Sequence, residues 1–167
     1  SGLLLKSTIY LYDGSPFYPN AEVLWNFVDS EKINFMGVSA KYIDALSKEN
    51  LNIIDKYKLK NLDTIGSTGS PLIHESFDYI YNSVKKDVSV ASLSGGTDIV
   101  GCFIGGNPMS VVRRGEIQGP ILGMDVHVYD ENANSLKNEK GELVCIKSFP
   151  SMPLFFWNDK NNQKYHE

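Results

Sequence analysis

The chain has 167 residues, of which 42% are hydrophobic and 22% charged, as in an ordinary globular protein. This length fits one domain or two small subdomains with a buried core. The formal net charge of −4 offers no basic surplus, which argues against nucleic acid or an anionic membrane surface as a partner. No apolar run is long enough to cross a bilayer, so we expect no membrane span.

The two cysteines, Cys102 and Cys145, each stand alone in an apolar run. Such isolated cysteines indicate buried free thiols more than a disulfide or a metal site. Free thiols fit a reducing compartment, so the sequence predicts a cytoplasmic protein.

Strand-like and helix-like patterns alternate over residues 1–112. Val23, Phe27 and Val28 share one face at helical spacing, and Ser39 stands where it can cap a helix. In chain order we first predict a strand at 8–12, a helix from about residue 20, a buried strand at 33–38 and a helix after residue 39. A short helix or turn at 51–57 and a strand at 62–67 follow. The last two elements are a strand at 88–91 and, before it, a helix whose apolar face is formed by Phe77, Ile80, Tyr81 and Val84. This alternation implies crossover connections, so we predict an α/β fold with a mostly parallel sheet.

The pattern changes after about residue 112. Residues 124–130 alternate between apolar and polar, residues 131–135 form a turn, and residues 142–146 read as another strand. These elements predict an incomplete β-rich subdomain at 113–167, with its strands in a meander. The aromatic stretch 149–157, which holds two internal prolines, fits irregular packing over a core edge, with a ligand platform as the alternative.

The loop Ser92-Leu93-Ser94-Gly95-Gly96-Thr97-Asp98 lies between two apolar runs. Its adjacent glycines allow a close backbone approach, its hydroxyls supply polar groups, and Asp98 supplies one carboxylate. These residues suit a loop that contacts a phosphate and its metal, and they equally suit a plain hairpin turn. A second small-residue loop follows the predicted strand at 62–67, with the sequence Ser67-Thr68-Gly69-Ser70-Pro71-Leu72. Ligands of open α/β sheets bind beyond the carboxyl ends of the strands, so we expect both loops to face one cleft.

The pair "STGSPL" and "SGGTD" resembles the adenylate-forming enzymes, the superfamily of acyl-CoA synthetases, luciferases and adenylation domains. Within it the chain looks most like the acid–CoA ligases that activate acetoacetate. Four further stretches carry that resemblance, namely "YDGSPF" at 12–17, "GEIQGPILGM" at 115–124, "GELV" at 141–144 and "PSMPLFFWND" at 150–159. The resemblance covers nearly the whole chain, and it implies that residues 113–167 begin a small β-barrel subdomain.

The resemblance implies a role for each loop. Gly69, Ser70 and Pro71 would form the turn on which adenine stacks, since they present a flat wall without bulk. Thr97 would bind the α-phosphate, and Asp98 would help to hold Mg²⁺. The superfamily more often has Glu at the position of Asp98. Nucleotide contacts would also come from Ser92, Ser94, Gly95 and Gly96.

The acyl pocket is implied in the same way. Acetyl-CoA synthetases have bulky aromatics in the loop that matches Ser94, Gly95 and Gly96, and glycine at Gly95 would leave space for a longer acid. Thr68 and Val38 would also line the pocket. A hydrophobic pocket discriminates one methylene by only about 1–3 kcal/mol, and acetoacetate suits an open pocket better than acetate does.

The implied reaction uses ATP, Mg²⁺ and CoA. The acid attacks ATP to give an acyl-adenylate and pyrophosphate, and CoA then displaces AMP. The sequence shows no phosphate loop with its lysine, no ribose-binding Asp motif and no small C-terminal domain. We therefore expect an interior fragment of the large N-terminal domain that completes neither step alone and whose partners include the missing parts of the same enzyme.

Three alternatives remain. They are a non-catalytic nucleotide-binding module, part of an acyl-CoA synthetase for another short-chain acid, and a flavodoxin-like domain with another ligand. The three histidines, His74, His127 and His166, show no spacing for a metal site or a catalytic triad.

Overall fold

The computed structural model describes residues 2–166. Its centre is a parallel sheet with the strand order β1-β2-β3, formed by β1 (Phe35–Ser39), β2 (Thr64–Thr68) and β3 (Ser89–Ser92). Helices connect the strands, as crossover units between parallel strands require. The α/β prediction is confirmed.

The helices are α1 (Val23–Ser30), α2 (Ala40–Lys48) and α3 (His74–Tyr79), which continues into a π-helical turn at Ile80–Val84. The predicted cap of α2 is confirmed. The backbone N–H of Tyr42 donates to Ser39 Oγ at 3.2 Å, which satisfies one of the free amides at the helix start.

The core lies between the helices and one face of the sheet. Met36, Ile65 and Val90 point into it, in register on the three strands. The opposite face is covered only in part, since the side chain of Phe35 on that face is 55% exposed whereas that of Ala91 is buried. The expectation of a buried strand at 33–38 is therefore wrong in its burial, because helices cover only one of the two faces.

The predicted strand at 8–12 is not formed, since these residues adopt no regular secondary structure. Tyr10 and Tyr12 instead place their rings against Phe27 of α1, with centroid distances of 5.3 and 6.3 Å. Strand propensity alone could not supply the partner strand that a ladder needs.

Two small antiparallel sheets follow. The first has the order β4-β5-β6, with β4 at Ser94–Gly96, β5 at Gly101–Gly105 and β6 at Gly119–Pro120. The second consists of β7 (Val126–Tyr129), β8 (Ser135–Leu136) and β9 (Glu142–Cys145).

The order in the second sheet is β8-β7-β9, so the predicted meander is wrong. Strand β9 pairs with the far edge of β7 instead of with the two-residue β8. Since β5 and β6 pair across position 112, one sheet takes strands from both sides of the proposed subdomain boundary. The division at 112/113 stays a prediction.

The end of the described chain has little regular structure. Residues 149–157 are irregular as predicted, and the Phe149 ring meets Phe103 edge-on at 5.8 Å. A 3₁₀ turn at Lys160–Asn162 leads into the short helix α4 (Gln163–His166). Within residues 2–166, every helix falls short of the length and apolar character that a membrane crossing needs.

Candidate active site

Both predicted loops leave the sheet at its carboxyl edge. Val38 of β1, Ser67 of β2 and Ser92 of β3 lie side by side in register at this edge. The backbone N–H of Leu93 donates to Ser67 O at 2.8 Å, which ties the start of the second loop to the end of β2. The expected shared cleft is therefore compatible with the strand register.

The first loop is a glycine turn between β2 and α3. Thr68 ends the strand with an exposed side chain, and Gly69 has a φ of +85°, in the left-handed region that favours glycine. No other atom lies within 4 Å of the position that a Cβ of Gly69 would take, so this wall is open. Ser70 is half-buried and Pro71 is exposed.

The second loop is more regular than its composition predicts. Residues 94–96 form β4, which pairs with β5 and has a bulge between Ser94 and Gly95. The expected tight loop is thus reduced to Leu93 and to the turn that begins at Thr97. In that turn the N–H of Val100 donates to Thr97 O at 3.1 Å. Glycines suited to a turn are also suited to a strand that another backbone approaches closely.

The two glycines of β4 differ in their surroundings. A Cβ at Gly95 would lie 2.1 Å from the carbonyl oxygen of Gly101 and 2.4 Å from the Cα of Cys102. A Cβ at Gly96 would meet no other atom within 4 Å. Glycine at 95 is therefore required by the approach of β5, whereas Gly96 borders open space.

The polar groups of the two loops are available to a ligand. Ser92 is buried at the end of β3, Ser94 is half-buried, and Thr97 and Asp98 are exposed. Their side chains, like that of Thr68, hydrogen-bond to none of residues 2–166. Across the same residues, no three His, Cys, Asp or Glu side chains cluster as a metal site would require. Asp98 alone would contribute to a cation that also takes oxygens from phosphates and water, which is the usual arrangement for Mg²⁺.

Val38 lines a groove that is separate from the two loops. It lines a groove of about 1270 Å³ between β1 and the irregular segment at 7–12, and neither loop borders this groove. No pattern in the sequence predicts this groove. The available signal was the β-rich run at 8–12, for which no partner strand could be named.

The histidines lie outside the loops. His74 begins α3, and its Nε2 would be 2.5 Å from a Cβ at Gly115. His127 Nε2 lies 2.9 Å from Asp125 Oδ1, and Lys147 Nζ lies 2.9 Å from Asp125 Oδ2. Lys147 and then His127 lower the pKa of the Asp125 carboxyl through hydrogen bonds and charge.

Comparison with known proteins points to one group of enzymes. The chain is 50% identical over 165 residues to the acetoacetyl-coenzyme A synthetase of Rhizobium meliloti (strain 1021), a match that covers 99% of the chain and 25% of the relative. It is 42% identical to the acetoacetyl-CoA synthetase of Mus musculus, over all of the chain and 25% of the relative. No protein-family model matches the chain.

Solved structures show the same relationship. The acetoacetyl-CoA synthetase from Streptomyces lividans superposes with a TM-score of 0.91 at 38% identity, covering 99% of this chain and 26% of that one. The anthranilate CoA ligase AuaEII, solved in complex with anthranoyl-AMP, matches in fold with a TM-score of 0.75 at 15% identity, covering 95% of this chain and 29% of that one.

The fold is thus one found in acid–CoA ligases. More narrowly, the chain is homologous to acetoacetyl-CoA synthetases along its whole length. It spans about a quarter of the length of the curated relatives it matches.

Proposed function

We propose that the full-length polypeptide containing these residues is an acid–CoA ligase that activates acetoacetate. The observation that carries this proposal is the 50% identity over 165 residues to a protein named acetoacetyl-coenzyme A synthetase. The two loops at one edge of the sheet support it, because that edge is where ligands of open α/β sheets bind.

The proposed reaction has two steps. In the first, a carboxylate oxygen of acetoacetate forms a bond to the α-phosphorus of ATP, and pyrophosphate leaves. In the second, the thiolate of CoA attacks the acyl carbon of the adenylate, and AMP leaves with the bonding electrons. Both steps place negative charge on phosphate oxygens, so positioned donors and a cation would lower the barrier.

The glycine turn after β2 is proposed to bind the nucleotide base. Gly69, Ser70 and Pro71 provide a wall with little side-chain bulk, and the space beside Gly69 is open. The backbone and hydroxyls of the second loop, from Ser92 through Ser94, Gly95 and Gly96, would face the phosphates.

Thr97 and Asp98 are proposed as the catalytic pair. The Thr97 hydroxyl is exposed and would donate to an α-phosphate oxygen. The exposed carboxylate of Asp98 would take part in holding Mg²⁺, which would neutralise phosphate charge when bound. One carboxylate suffices, since Mg²⁺ in such sites is held largely by phosphate oxygens and water.

Thr68 and Gly95 are proposed to line the acyl site, and Val38 is proposed to reach it from the end of β1, where it lies in register with Ser67. The exposed Thr68 hydroxyl, at the carboxyl end of β2, would donate to the keto oxygen of acetoacetate. The backbone contacts at Gly95 fix β4 against β5, and the open position beside it is Gly96. Space for an acid longer than acetate would therefore lie beside Gly96, with Gly95 setting the path of the strand.

The partners and location follow the same proposal. They are acetoacetate or a similar short-chain acid, CoA as co-substrate, and the other parts of the same enzyme, with no nucleic acid partner. The thiols of Cys102 and Cys145 are free as expected, but both are half-buried and the expected full burial is wrong. Free thiols support a reducing, cytoplasmic setting.

Acid-dependent ATP–pyrophosphate exchange tests the first step. The full-length polypeptide would be assayed with acetoacetate, acetate and butyrate in separate reactions, and we expect the fastest exchange with acetoacetate. Asp98→Asn should lower the exchange by about 10²-fold or more if its charge holds the cation. Asp13→Asn, far along the sequence from both loops, serves as the matched control and should leave the exchange unchanged.

The runner-up is a nucleotide-binding module without catalysis. Nucleotide binding by the folded full-length polypeptide, with no exchange for any of the three acids, would favour it. Exchange fastest with acetate or butyrate would point to a synthetase for another short-chain acid. For the 167-residue chain by itself we expect neither step, and acyl-CoA formation by the purified chain would refute that expectation.

A further inference from the structure

Lysines are concentrated at the amino edge of the parallel sheet, where its strands begin, opposite the edge that the two loops leave. A cavity of about 560 Å³ lies there, between the turn at 54–60 and residues 84–87, which lead into β3. Five of the chain's 16 basic residues line this lysine cavity, namely Lys56, Lys58, Lys60, Lys85 and Lys86. Two carboxylates, those of Asp55 and Asp87, line it as well. Five lysines against two aspartates leave an excess of three positive charges, although the whole chain has a net charge of −4.

Backbone hydrogen bonds hold the two walls of the lysine cavity in place. The N–H groups of Ile53 and Ile54 donate to Ser83 O at 2.8 and 2.9 Å, which joins one wall to the other. In the turn at 54–60 the N–H of Leu59 donates to Asp29 Oδ1 at 2.8 Å. Leu59 is buried and has a φ of +44°, in the left-handed region, which a leucine occupies only where its surroundings fix it. The turn that carries three of the five lysines is therefore preformed.

Lys85 supplies a buried charge to this cavity. The residue is only 9% exposed, and its Nζ donates to Leu62 O at 2.8 Å. Its ion-pair partner, Asp87 Oδ1, lies 3.5 Å away on a side chain that is 84% exposed. An ammonium group has three donors, and a buried charge costs free energy unless those donors are satisfied. One carbonyl and one distant carboxylate leave Lys85 able to bind an anion in the cavity.

Three further lysines bring positive charge that no neighbouring carboxylate neutralises. Lys58, Lys60 and Lys86 are exposed, and within residues 2–166 none of them has a carboxylate oxygen within 4.0 Å. Lys56 differs, because its ammonium group is paired with the carboxylate of Glu22. Like charges that surround one concave surface repel one another, so an anion that enters the cavity relieves this repulsion.

We propose that the lysine cavity binds a small oligophosphate, a compound with two or more linked phosphate groups. Lysine ammonium groups bind phosphate as compact point charges, and three unpaired ones line this cavity together with the buried Lys85. A single phosphate group carries a charge of about −2, so an excess of three positive charges calls for at least two phosphate groups. The volume of the cavity lies within the usual range of small-molecule pockets, about 300–1,000 Å³.

This site is separate from the one proposed for ATP. The lysine cavity lies before β2 and β3 begin, whereas the glycine turn and the second loop follow the ends of these strands. The five residues of β2 therefore separate the two sites by about 13 Å or more. An oligophosphate in the cavity would act as an effector and not as a substrate. The proposal does not depend on the acid that the enzyme activates.

Amide hydrogen exchange of the full-length polypeptide, measured by mass spectrometry with and without inorganic pyrophosphate, tests the proposal. Peptides that cover 54–60 and 84–88 should exchange about threefold more slowly, or slower still, when pyrophosphate is added. Peptides that cover the two loops, at 68–71 and 92–98, report separately on pyrophosphate bound at the nucleotide site. Unchanged exchange at 54–60 and 84–88 would overturn the proposal, whether or not the loops become protected.

Two further probes identify what the cavity recognises. Protection by ADP at a lower concentration than pyrophosphate would identify a nucleotide as the source of the oligophosphate, and the reverse order would identify free pyrophosphate. Both results support the proposal. Inorganic sulfate has a single anionic centre and should protect about tenfold less well than pyrophosphate. Equal protection by sulfate would contradict the proposal, because the cavity would then attract any anion.

A matched pair of double variants tests the lysines. Lys58→Gln with Lys86→Gln removes two exposed charges of the cavity and should raise the Kd for pyrophosphate, read from protection at 54–60, by about tenfold or more. Lys41→Gln with Lys140→Gln removes two exposed charges outside the cavity and should leave that Kd within about twofold. The net charge changes equally in both proteins, so equal Kd values would overturn the proposal in favour of general electrostatic attraction. All four positions are exposed, and the wild-type measurement stands without either variant.

Discussion

The parallel-sheet region and the strands that follow it are built differently. The large side chains with less than 2% exposure, among those the structure describes, all lie between Trp25 and Val90. After residue 93, apolar side chains such as Phe103 are at best half-buried, apart from Ile99. The first region has a core of its own, whereas the second is held by its sheets and by contacts with the first.

Phe77 and Phe103 allow the difference to be measured with the same side chain. Phe77→Ala should lower the free energy of unfolding by about 3–5 kcal/mol, because Phe77 is fully buried against the sheet. Phe103→Ala should cost about 1–2 kcal/mol, since part of that ring already faces solvent. Urea denaturation of both variants provides the comparison, and equal losses would mean that the second region has a comparable core.

The glycines of β4 sharpen the comparison within the second region. Gly95→Ala should destabilise by about 1–3 kcal/mol, because its Cβ would overlap the backbone of β5. Gly96→Ala, with open space around its Cβ, should change stability by no more than about 0.5 kcal/mol. Thermal unfolding of the two variants measures the effect. A neutral Gly95→Ala would show that β4 and β5 are less tightly apposed.

Arg114 and Asp78 link the two regions across the chain. The guanidinium Nη2 lies 2.7 Å from Asp78 Oδ2, and both side chains are largely exposed. A double-mutant cycle with Arg114→Gln and Asp78→Asn should give a coupling energy of about 0.2–1 kcal/mol that falls as salt is added. A coupling that salt leaves unchanged would speak against a screened surface pair.

The lowered pKa of Asp125 predicts a small pH dependence of the stability of the second region. Lys147, and after it His127, lowers the pKa of Asp125 in the folded state. A carboxyl with a lowered folded pKa adds stability above its unfolded pKa of about 3.9, and that stability is lost as the pH falls through the folded pKa. Tm should be measured for wild type and Asp125→Asn from pH 5 down to the acid limit of folding, roughly two pH units lower. Over this range the Tm of wild type should fall by more than the Tm of Asp125→Asn. Parallel Tm curves for the two proteins would rule out this contribution.

The parts predicted well from sequence are those set by local pattern. The helical spacing in α1, the cap at Ser39 and the strands before both loops depend on neighbouring residues, and the structure has all of them. The edge at which Thr68 and Ser92 lie follows from the parallel sheet alone.

The parts predicted poorly depend on distant partners. The run at 8–12 has strand propensity but no ladder, and residues 94–96 have turn composition but pair with β5. The order β8-β7-β9 likewise follows from which strand β9 meets. At Gly95 the composition suggested open space, whereas the position is filled by the backbone of Gly101 and Cys102.

The most direct test of the proposed activity is product formation by the full-length polypeptide. Purified protein would be incubated with ATP, Mg²⁺, CoA and acetoacetate, and acetoacetyl-CoA and AMP would be quantified by mass spectrometry. We predict that the two appear together in equal amounts, and that acetate in place of acetoacetate gives a slower reaction. Folded protein that binds ATP but forms neither AMP nor acetoacetyl-CoA would contradict the proposal.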